Sequence, residues 1–375
     1  MKIAYFTESL PPLIDGVTRT LTRLAGTLES EGIDFRFYSP VKPDDSISWN
    51  HRVRKVNSVQ FPLYSYYRIG MPYFQGLEVE LDAFQPDLIH AVSPTPLGYY
   101  GMSYGRKRKL GVVSSYHTHF VSYLNYYGFQ RSEKLGWNYL QWFHNQGLRT
   151  FVPSPSAAQE LRERGFHNVA LWQRGIDVER FSPDFHDMVL RRSVARDDEP
   201  ILLFVGRLVK EKDIDDVIEA SHILREMGNR FKIVFIGDGP MKSEIQDRLP
   251  DAHLPGFLAG RELAAWYATA DLFVFPSTTE TFGNVILEAF ASGIPAIGVT
   301  KGGVADLITP GLNGLLAPPN APGELAAKVQ VLLNDAGYRM LLGRQARKHA
   351  MNFNWRDINL KLIKNYEQIL RDQRN

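Results

Sequence analysis

An α/β chain of two doubly wound Rossmann-like domains, facing a central cleft, is the architecture that three features of the sequence predict. Short apolar runs recur along the chain, each closed by a polar or Gly/Pro-bearing loop and followed by a helical pattern. That rhythm is interrupted once, near the middle, by the charged, low-apolar stretch Asp184–Pro200. The length of 375 residues suits two domains of ordinary size, and 44% hydrophobic with 22% charged residues is a globular composition able to bury large cores.

In the first half KIAYFTE reads as a strand, PPLIDGV as a turn, and Thr18 to Glu31 as an amphipathic helix ended by Gly32. FRFYSP, PDLIHAVSP and VVSSYHT are further short apolar runs, Gln141 to Gly147 continues a long helical stretch, and TFVPSPS is another strand. After the charged stretch, ILLFVGRL is a strand, Asp213 to Met227 a helix, FKIVFIGDG a strand, Pro240 to Leu249 a helix and HLPGFL a short strand. Glu262 to Ala270, LFVFPS, a helix after Gly283, and PAIGVT continue the alternation, which calls for parallel sheets covered by helices on both faces. The domains are therefore drawn as 1–183 and 184–354. The last helix, within 355–375, has no strand left to serve and is expected to pack back on the first domain.

Composition narrows the chemistry. There is no cysteine, so a disulfide frame, a thiolate zinc site and a cysteine nucleophile are ruled out, and a reducing cytosol is the natural compartment. MKIAYFTES begins a strand at once, and no stretch reaches ~18 uninterrupted apolar residues, so neither an export signal nor a membrane span is expected. The net charge of +2 is unevenly spread: residues 46–150 hold 11 Lys/Arg against 5 Asp/Glu, with 12 of the 17 tyrosines. Such a basic, aromatic region suits an anionic membrane surface, a phosphorylated acceptor or nucleic acid, or else is half-buried packing. Nucleic acid is set aside because the excess of charge is modest for a stretch of that length. The run RKRK at Arg106–Lys109 reads as a solvated helix end.

The most informative segment is TETFGNVILEAFASG, Thr279 to Gly293. It follows the apolar run DLFVFPS, so its loop lies at the C-terminal edge of a buried strand, where open α/β sheets collect ligands. From Asn284 onward the residues are apolar almost without break, a helix buried on most sides, whose first N–H groups near Phe282, Gly283 and Asn284 favour an anion or sugar hydroxyls. Glu280 stands in the loop beside such a ligand, and Glu288 about a turn inside the helix. The alternatives are a solvated or capping Glu280 and a core Glu288 satisfied by backbone donors. In GRLVKEKD, Arg207 follows one strand and Lys212 stands near the next helix; two cations there can neutralise a departing diphosphate, or form surface ion pairs with Glu211 or Asp213. GDGP at Gly237–Pro240 is a glycine-bearing strand-to-helix turn. In the first half, Gly16 lets a backbone approach a ligand closely at the start of a helix. His117 and His119 end a strand, but i, i+2 without an obvious third ligand is poor evidence for metal, and no metal site is expected.

Together these segments resemble the retaining glycosyltransferases of family 4, which have the two-domain GT-B fold. The likeness runs over almost the whole chain: the Gly16 turn, His117, GRLVKEKD, FIGDGP, LPGFL and STTETFGNVILEAFASGIPAIGVTKGGVADLI, with seven positions between the two glutamates. It implies an N-terminal acceptor-binding domain and a C-terminal domain for a nucleotide-sugar, UDP- or GDP-linked, serving as donor substrate with no further cofactor. By the same resemblance Arg207 and Lys212 meet the diphosphate and Glu280 the transferred sugar at the reacting face, while Glu288 holds the ribose. Backbone groups of Phe282, Gly283, Asn284 and Val285 meet sugar and phosphates, Phe257 and Leu258 lie at the base, and His117 contacts the donor sugar. It also implies retention of configuration by same-face attack, without metal. Asp15 stands where the family often has a first glycine; its charge would repel phosphate, and it is expected to face the acceptor instead.

SSYHTHFVSYLNYYGF, NYLQWFHNQ, TFVPSPSAAQELRERGF and ALWQRGIDVERFSP are similar to the branch of sulfolipid synthases, glycosyl-diacylglycerol synthases and related α-mannosyltransferases. That likeness implies a lipid or glycolipid acceptor, such as diacylglycerol, and a cytoplasmic enzyme peripheral on the inner face of the membrane. A soluble saccharide or small-metabolite acceptor, a GT-B epimerase or phosphorylase, and a non-catalytic nucleotide-sugar binder are the competing readings.

Overall fold

The structure, a computed structural model, describes residues 1–13, 15–61, 64–73, 76–117 and 133–374. The chain divides into two compact units, one running to Arg174 and resumed from Trp355 onward, the other formed by Gly175–Asn354.

Among the described residues the first unit holds β1 (Lys2–Phe6), β2 (Asp34–Ser39), β3 (Val53–Lys55), β4 (Ser58–Phe61), β5 (Tyr64–Gly70), β6 (Leu88–Ala91), β7 (Gly111–Ser115), β8 (Arg149–Val152) and β9 (Val169–Leu171). Seven of them form a parallel sheet in the order β3-β2-β1-β6-β7-β8-β9, and β4 and β5 pair as a separate antiparallel hairpin. The central strands are covered on both faces: every residue of β6 and β7 is buried, His90, Ser114 and Ser115 included. Aromatic rings fill much of this core, with Phe6 stacked on Tyr38 at 4.9 Å between centroids.

The C-terminal helix Trp355–Arg374 belongs to this unit through polar as well as apolar contacts. Asn359 donates to Thr27 Oγ1 at 3.0 Å, and Arg149 donates to Asn365 at 2.7 Å. The Tyr366 hydroxyl lies 2.6 Å from His90 Nδ1, whose Nε2 lies 2.5 Å from Ser115 Oγ. A second buried histidine, His144, has its Nδ1 2.8 Å from Ser114 Oγ. Burial alone holds both His90 and His144 neutral, with values near 3.

In the second unit β10 (Ile201–Val205), β11 (Lys232–Ile236), β12 (His253–Gly256), β13 (Leu272–Phe275), β14 (Ala296–Val299) and β15 (Gly314–Ala317) form a parallel sheet ordered β12-β11-β10-β13-β14-β15. The passage between units, at Arg174–Gly175, comes earlier than the 183/184 junction drawn from composition. Ile176 and Phe181 lie in the apolar core of the second unit, and Ile176 N–H donates to Phe353 O at 2.8 Å. The charged stretch Asp184–Pro200 also holds structure. Asp187 caps the helix Met188–Val194, and Arg191 is buried against Asp271 at 2.8 Å.

Candidate active site

The order of the second sheet reverses between β10 and β13, and ligands of open α/β sheets gather at such a point, beyond the strand ends. Past β10 comes the short turn Lys210–Lys212, and past β13 the loop Ser277–Glu280. The two are laced together. Thr279 Oγ1 donates to Glu211 O at 2.8 Å, while Thr278 gives its N–H and its hydroxyl to Asp213 Oδ2 at 2.7 and 2.8 Å. Across this seam the Lys212 ammonium pairs directly with Glu280 Oε1, both side chains being largely buried. Lys212 thus pairs with neither Glu211 nor Asp213. Arg207 is more open and lies 3.4 Å from Glu211.

Two glycines let the surrounding loops close. At Gly237 (φ 142°) a Cβ would stand 1.8 Å from Gly206 O, so the GDGP turn lies flat on the backbone that carries Arg207. A Cβ on Gly303 would meet Phe282 N at 2.4 Å, and Gly303 N–H donates to Glu280 O at 2.9 Å, fixing the height of the glutamate loop.

Gly283 precedes the helix Asn284–Ala291, which has no side-chain cap. Asn284 Oδ1 is buried at this helix start without a hydrogen-bond partner among the described residues. The Phe282 ring is committed to the core, 6.1 Å from Phe353, so this residue has only backbone to offer a ligand. Val285 is half-buried against the same core. Glu288 is 2% exposed, and Tyr267 O–H donates to its Oε2 at 3.0 Å. The neighbour of this carboxylate is therefore a phenol from the helix Gly260–Thr269, beyond the backbone donors considered from sequence. Beyond β12, Phe257 is 62% exposed, an open aromatic face beside the half-buried Leu258, and Gly256 O accepts from Gly237 N–H at 2.9 Å.

The remaining expected residues lie in the first unit. Gly16 opens the helix Gly16–Ser30, and Asp15 caps it, its Oδ1 accepting from Thr18 N–H at 2.7 Å. The carboxylate placed opposite an acceptor by sequence is thus engaged in capping. His117 follows β7, and Arg174 Nη2 donates to its Nδ1 at 2.5 Å. An arginine has no acceptor, so Nδ1 is bare and the neutral ring carries its proton on Nε2. Burial first, then the charge of Arg174 and the nearby His90 and His144, keeps this ring well below the ordinary histidine range. Arg174, buried and bonded to Trp172 O at 2.9 Å, is a supporting residue that the sequence reading did not single out. Its only signal was the arginine of WQRGID, 57 residues from its partner.

His119 lies outside the described residues, as do much of SSYHTHFVSYLNYYGF and several of the tyrosines between 46 and 150. In the RKRK run, Lys107 pairs with Glu78, Arg108 with Asp82, and Arg106 with Gln146. Among the described residues no cluster of His, Asp and Glu is arranged to hold a metal ion, and no helix is long and apolar enough to cross a membrane.

Two family models match the chain: Glycosyltransferase Family 4 over residues 14–180 and Glycosyl transferases group 1 over residues 189–349. A GDP-mannose-dependent alpha-mannosyltransferase of Mycobacterium tuberculosis is 33% identical over 98% of this chain and 97% of its own length. The sulfoquinovosyl transferase SQD2 of Arabidopsis thaliana is 32% identical over 82% of this chain and 62% of its own length. An alpha-monoglucosyldiacylglycerol synthase of Streptococcus pneumoniae is 26% identical over 84% of this chain and 75% of its own. Among solved structures, a sucrose-phosphate synthase of Thermosynechococcus elongatus superposes with a TM-score of 0.79 at 21% identity, covering 99% of both chains. Anabaena Alr3699/HepE in complex with UDP-glucose gives 0.75 at 20% identity, covering 98% of this chain and 100% of its own. Built from two Rossmann-like units of the GT-B kind, the chain belongs to the family 4 glycosyltransferases.

Proposed function

We propose that the enzyme transfers a hexosyl group, with retention of configuration and without a bound metal, from a GDP- or UDP-sugar to a hydroxyl of a lipid-linked acceptor. The reading rests on the buried Lys212–Glu280 pair at the switch point, with Arg207 on the same loop as Lys212. Donor cleavage breaks the bond between the anomeric carbon and the diphosphate oxygen. Lys212 and Arg207 take up the charge that develops there, the role a metal fills elsewhere. The acceptor oxygen bonds to the same face of the carbon, and its proton passes to the departing phosphate oxygen. Glu280 then lies at the sugar, Glu288 at the ribose, and His117 meets a sugar hydroxyl. Two carboxylates so divided are not the acid–base pair of a hydrolase, which must flank one scissile bond.

GDP-mannose is the first donor to test, because three relatives named for it match 98–99% of this chain. A thermal-shift panel of GDP, UDP, ADP and their sugars reads donor choice directly, since a ligand at ~100 times its Kd adds ~2.7 kcal/mol. Glu288→Ala is expected to abolish that shift and nearly all transfer while the chain stays folded. Full transfer by this variant would overturn the site assignment. Donor incubated without acceptor should come back unchanged; a changed sugar would mark an epimerase.

A lipid acceptor is favoured by the helix Glu133–His144, on which Leu135, Tyr139 and Trp142 repeat at i, i+4 and i+7 and are all exposed, Leu135 to 71%. Trp142 continues this stripe onto Tyr99 at 5.3 Å between rings. Amphipathic rings of this kind settle at membrane interfaces. The wild-type enzyme should float with phosphatidylglycerol vesicles at low salt, and Leu135→Ser/Trp142→Ala should cut the bound fraction about tenfold with the nucleotide thermal shift unchanged. A wild-type enzyme that stays unbound would move the acceptor to a soluble saccharide.

A further inference from the structure

The sequence offers Glu211 as a partner for a surface ion pair, but the structure buries it: its side chain is 3% exposed, against 46% for that of Arg207. The backbone of Glu211 is anchored to the loop past β13, its carbonyl accepting from Thr279 Oγ1 at 2.8 Å and from Ser277 Oγ at 3.5 Å. Its carboxylate reaches back over its own turn and accepts from Arg207 Nη2 at 3.4 Å. The neighbouring Lys212 pairs across the seam with Glu280. The switch point therefore carries alternating charges, Arg207 with Glu211 and Lys212 with Glu280, so that each of the two cations offered to a diphosphate has a carboxylate beside it.

Filling the turn does not call for a charge at position 211, since an uncharged side chain of the same length would avoid the cost of burying a carboxylate. Nor does tight binding: a negative charge behind Arg207 weakens its hold on an anion. What the carboxylate supplies is a fixed position and a limit on that hold. Transfer converts a sugar diphosphate into a free nucleoside diphosphate, whose terminal phosphate gains a second ionisation near ~6. Cations without a counter-charge would therefore hold the product harder than the donor. We propose that Glu211 is a positioning residue that fixes Arg207 and tempers its charge, so that the nucleoside diphosphate is released after transfer. The proposal rests on the transferase reading above, in which Arg207 meets the diphosphate.

Calorimetry with GDP and GMP, and with UDP and UMP, tests it without any acceptor. The ratio of the monophosphate to the diphosphate Kd isolates the grip on the outer phosphate from the rest of the nucleotide. Glu211→Gln keeps the shape and removes the charge, so the diphosphate is expected to bind about tenfold more tightly and the ratio to rise. Damage to the turn would instead weaken both nucleotides together, and an unchanged or lowered ratio overturns the proposal. Arg207→Met should lower the ratio about tenfold, because it strands a buried carboxylate near the phosphate. Arg207→Met/Glu211→Gln should return the ratio close to the wild-type value, the net charge of the pair being zero again. That comparison decides should Glu211→Gln alone fail to fold: a double variant no better than Arg207→Met refutes the role. A wild-type enzyme that binds neither diphosphate defeats the transferase reading, whereas a Glu211→Gln enzyme with the wild-type ratio defeats only this one.

Discussion

Replacing Lys212 by alanine is expected to lower the turnover number about 100- to 1000-fold, the cost of removing one charge-stabilising donor, ~2.7–4 kcal/mol of barrier. The ammonium is largely buried and held against Glu280, so its position is fixed before any donor arrives. That pre-set geometry is what makes a cation effective at the moment the diphosphate leaves. The same substitution strands Glu280 without its counter-charge, and breaking such a pair can itself destabilise by ~3–5 kcal/mol. Kinetics and melting curves separate the two effects. Lys212→Ala/Glu280→Gln should recover much of the lost melting temperature, because no uncompensated charge remains, and none of the lost turnover. A Lys212→Ala enzyme within tenfold of wild-type turnover would show that the lysine serves only the fold.

Mild acid is expected to destabilise the first unit. His90 and His144 are buried and neutral near 3, whereas in the unfolded chain a histidine titrates near ~6.5, so the unfolded state binds more protons between those values. Their contribution is intact above the unfolded value and declines as pH falls, by about 4 kcal/mol for the two together at pH 5. His117, also pushed down, adds to the loss. Glu8 acts in the opposite sense: its folded value is raised to about 7, so acid favours the folded state through this group and returns about 2 kcal/mol over the same range. Urea midpoints between pH 7 and pH 5, followed by the near-ultraviolet signal of the first unit's tryptophans, should fall with pH. The fall should steepen in Glu8→Gln. A midpoint independent of pH in this range would contradict the neutral buried histidines.

Legibility in the sequence followed the range of the interactions. ILLFV, KIVFI and LFVF could be read as strands because a parallel strand covered on both faces is apolar without interruption, and each is a strand here. The strands Ser58–Phe61 and Tyr64–Gly70 escaped notice, as did Val169–Leu171 and Gly314–Ala317, which are brief and only partly buried. Within the site, the glutamates, the two cations and the glycine turns stand in local patterns. The bonds that define their setting do not. Lys212 meets Glu280 across 68 residues, Tyr267 meets Glu288 from another helix, and Arg174 fixes the tautomer of His117 from a distant loop. Strand order, and hence the switch point of each sheet, cannot be read from the apolar runs themselves.

The return of the C-terminal helix has a consequence for recombining such enzymes. Among the described residues the chain crosses between its two units twice, at Arg174–Gly175 and again at Asn354–Trp355. A hybrid made with one crossover would separate Tyr366 from His90 and Asn365 from Arg149, leaving buried polar groups of the first unit with a foreign helix. Exchanging second units between relatives therefore calls for a cassette with two seams, residues 175–354 inserted as a block, so that each first unit keeps its own last helix.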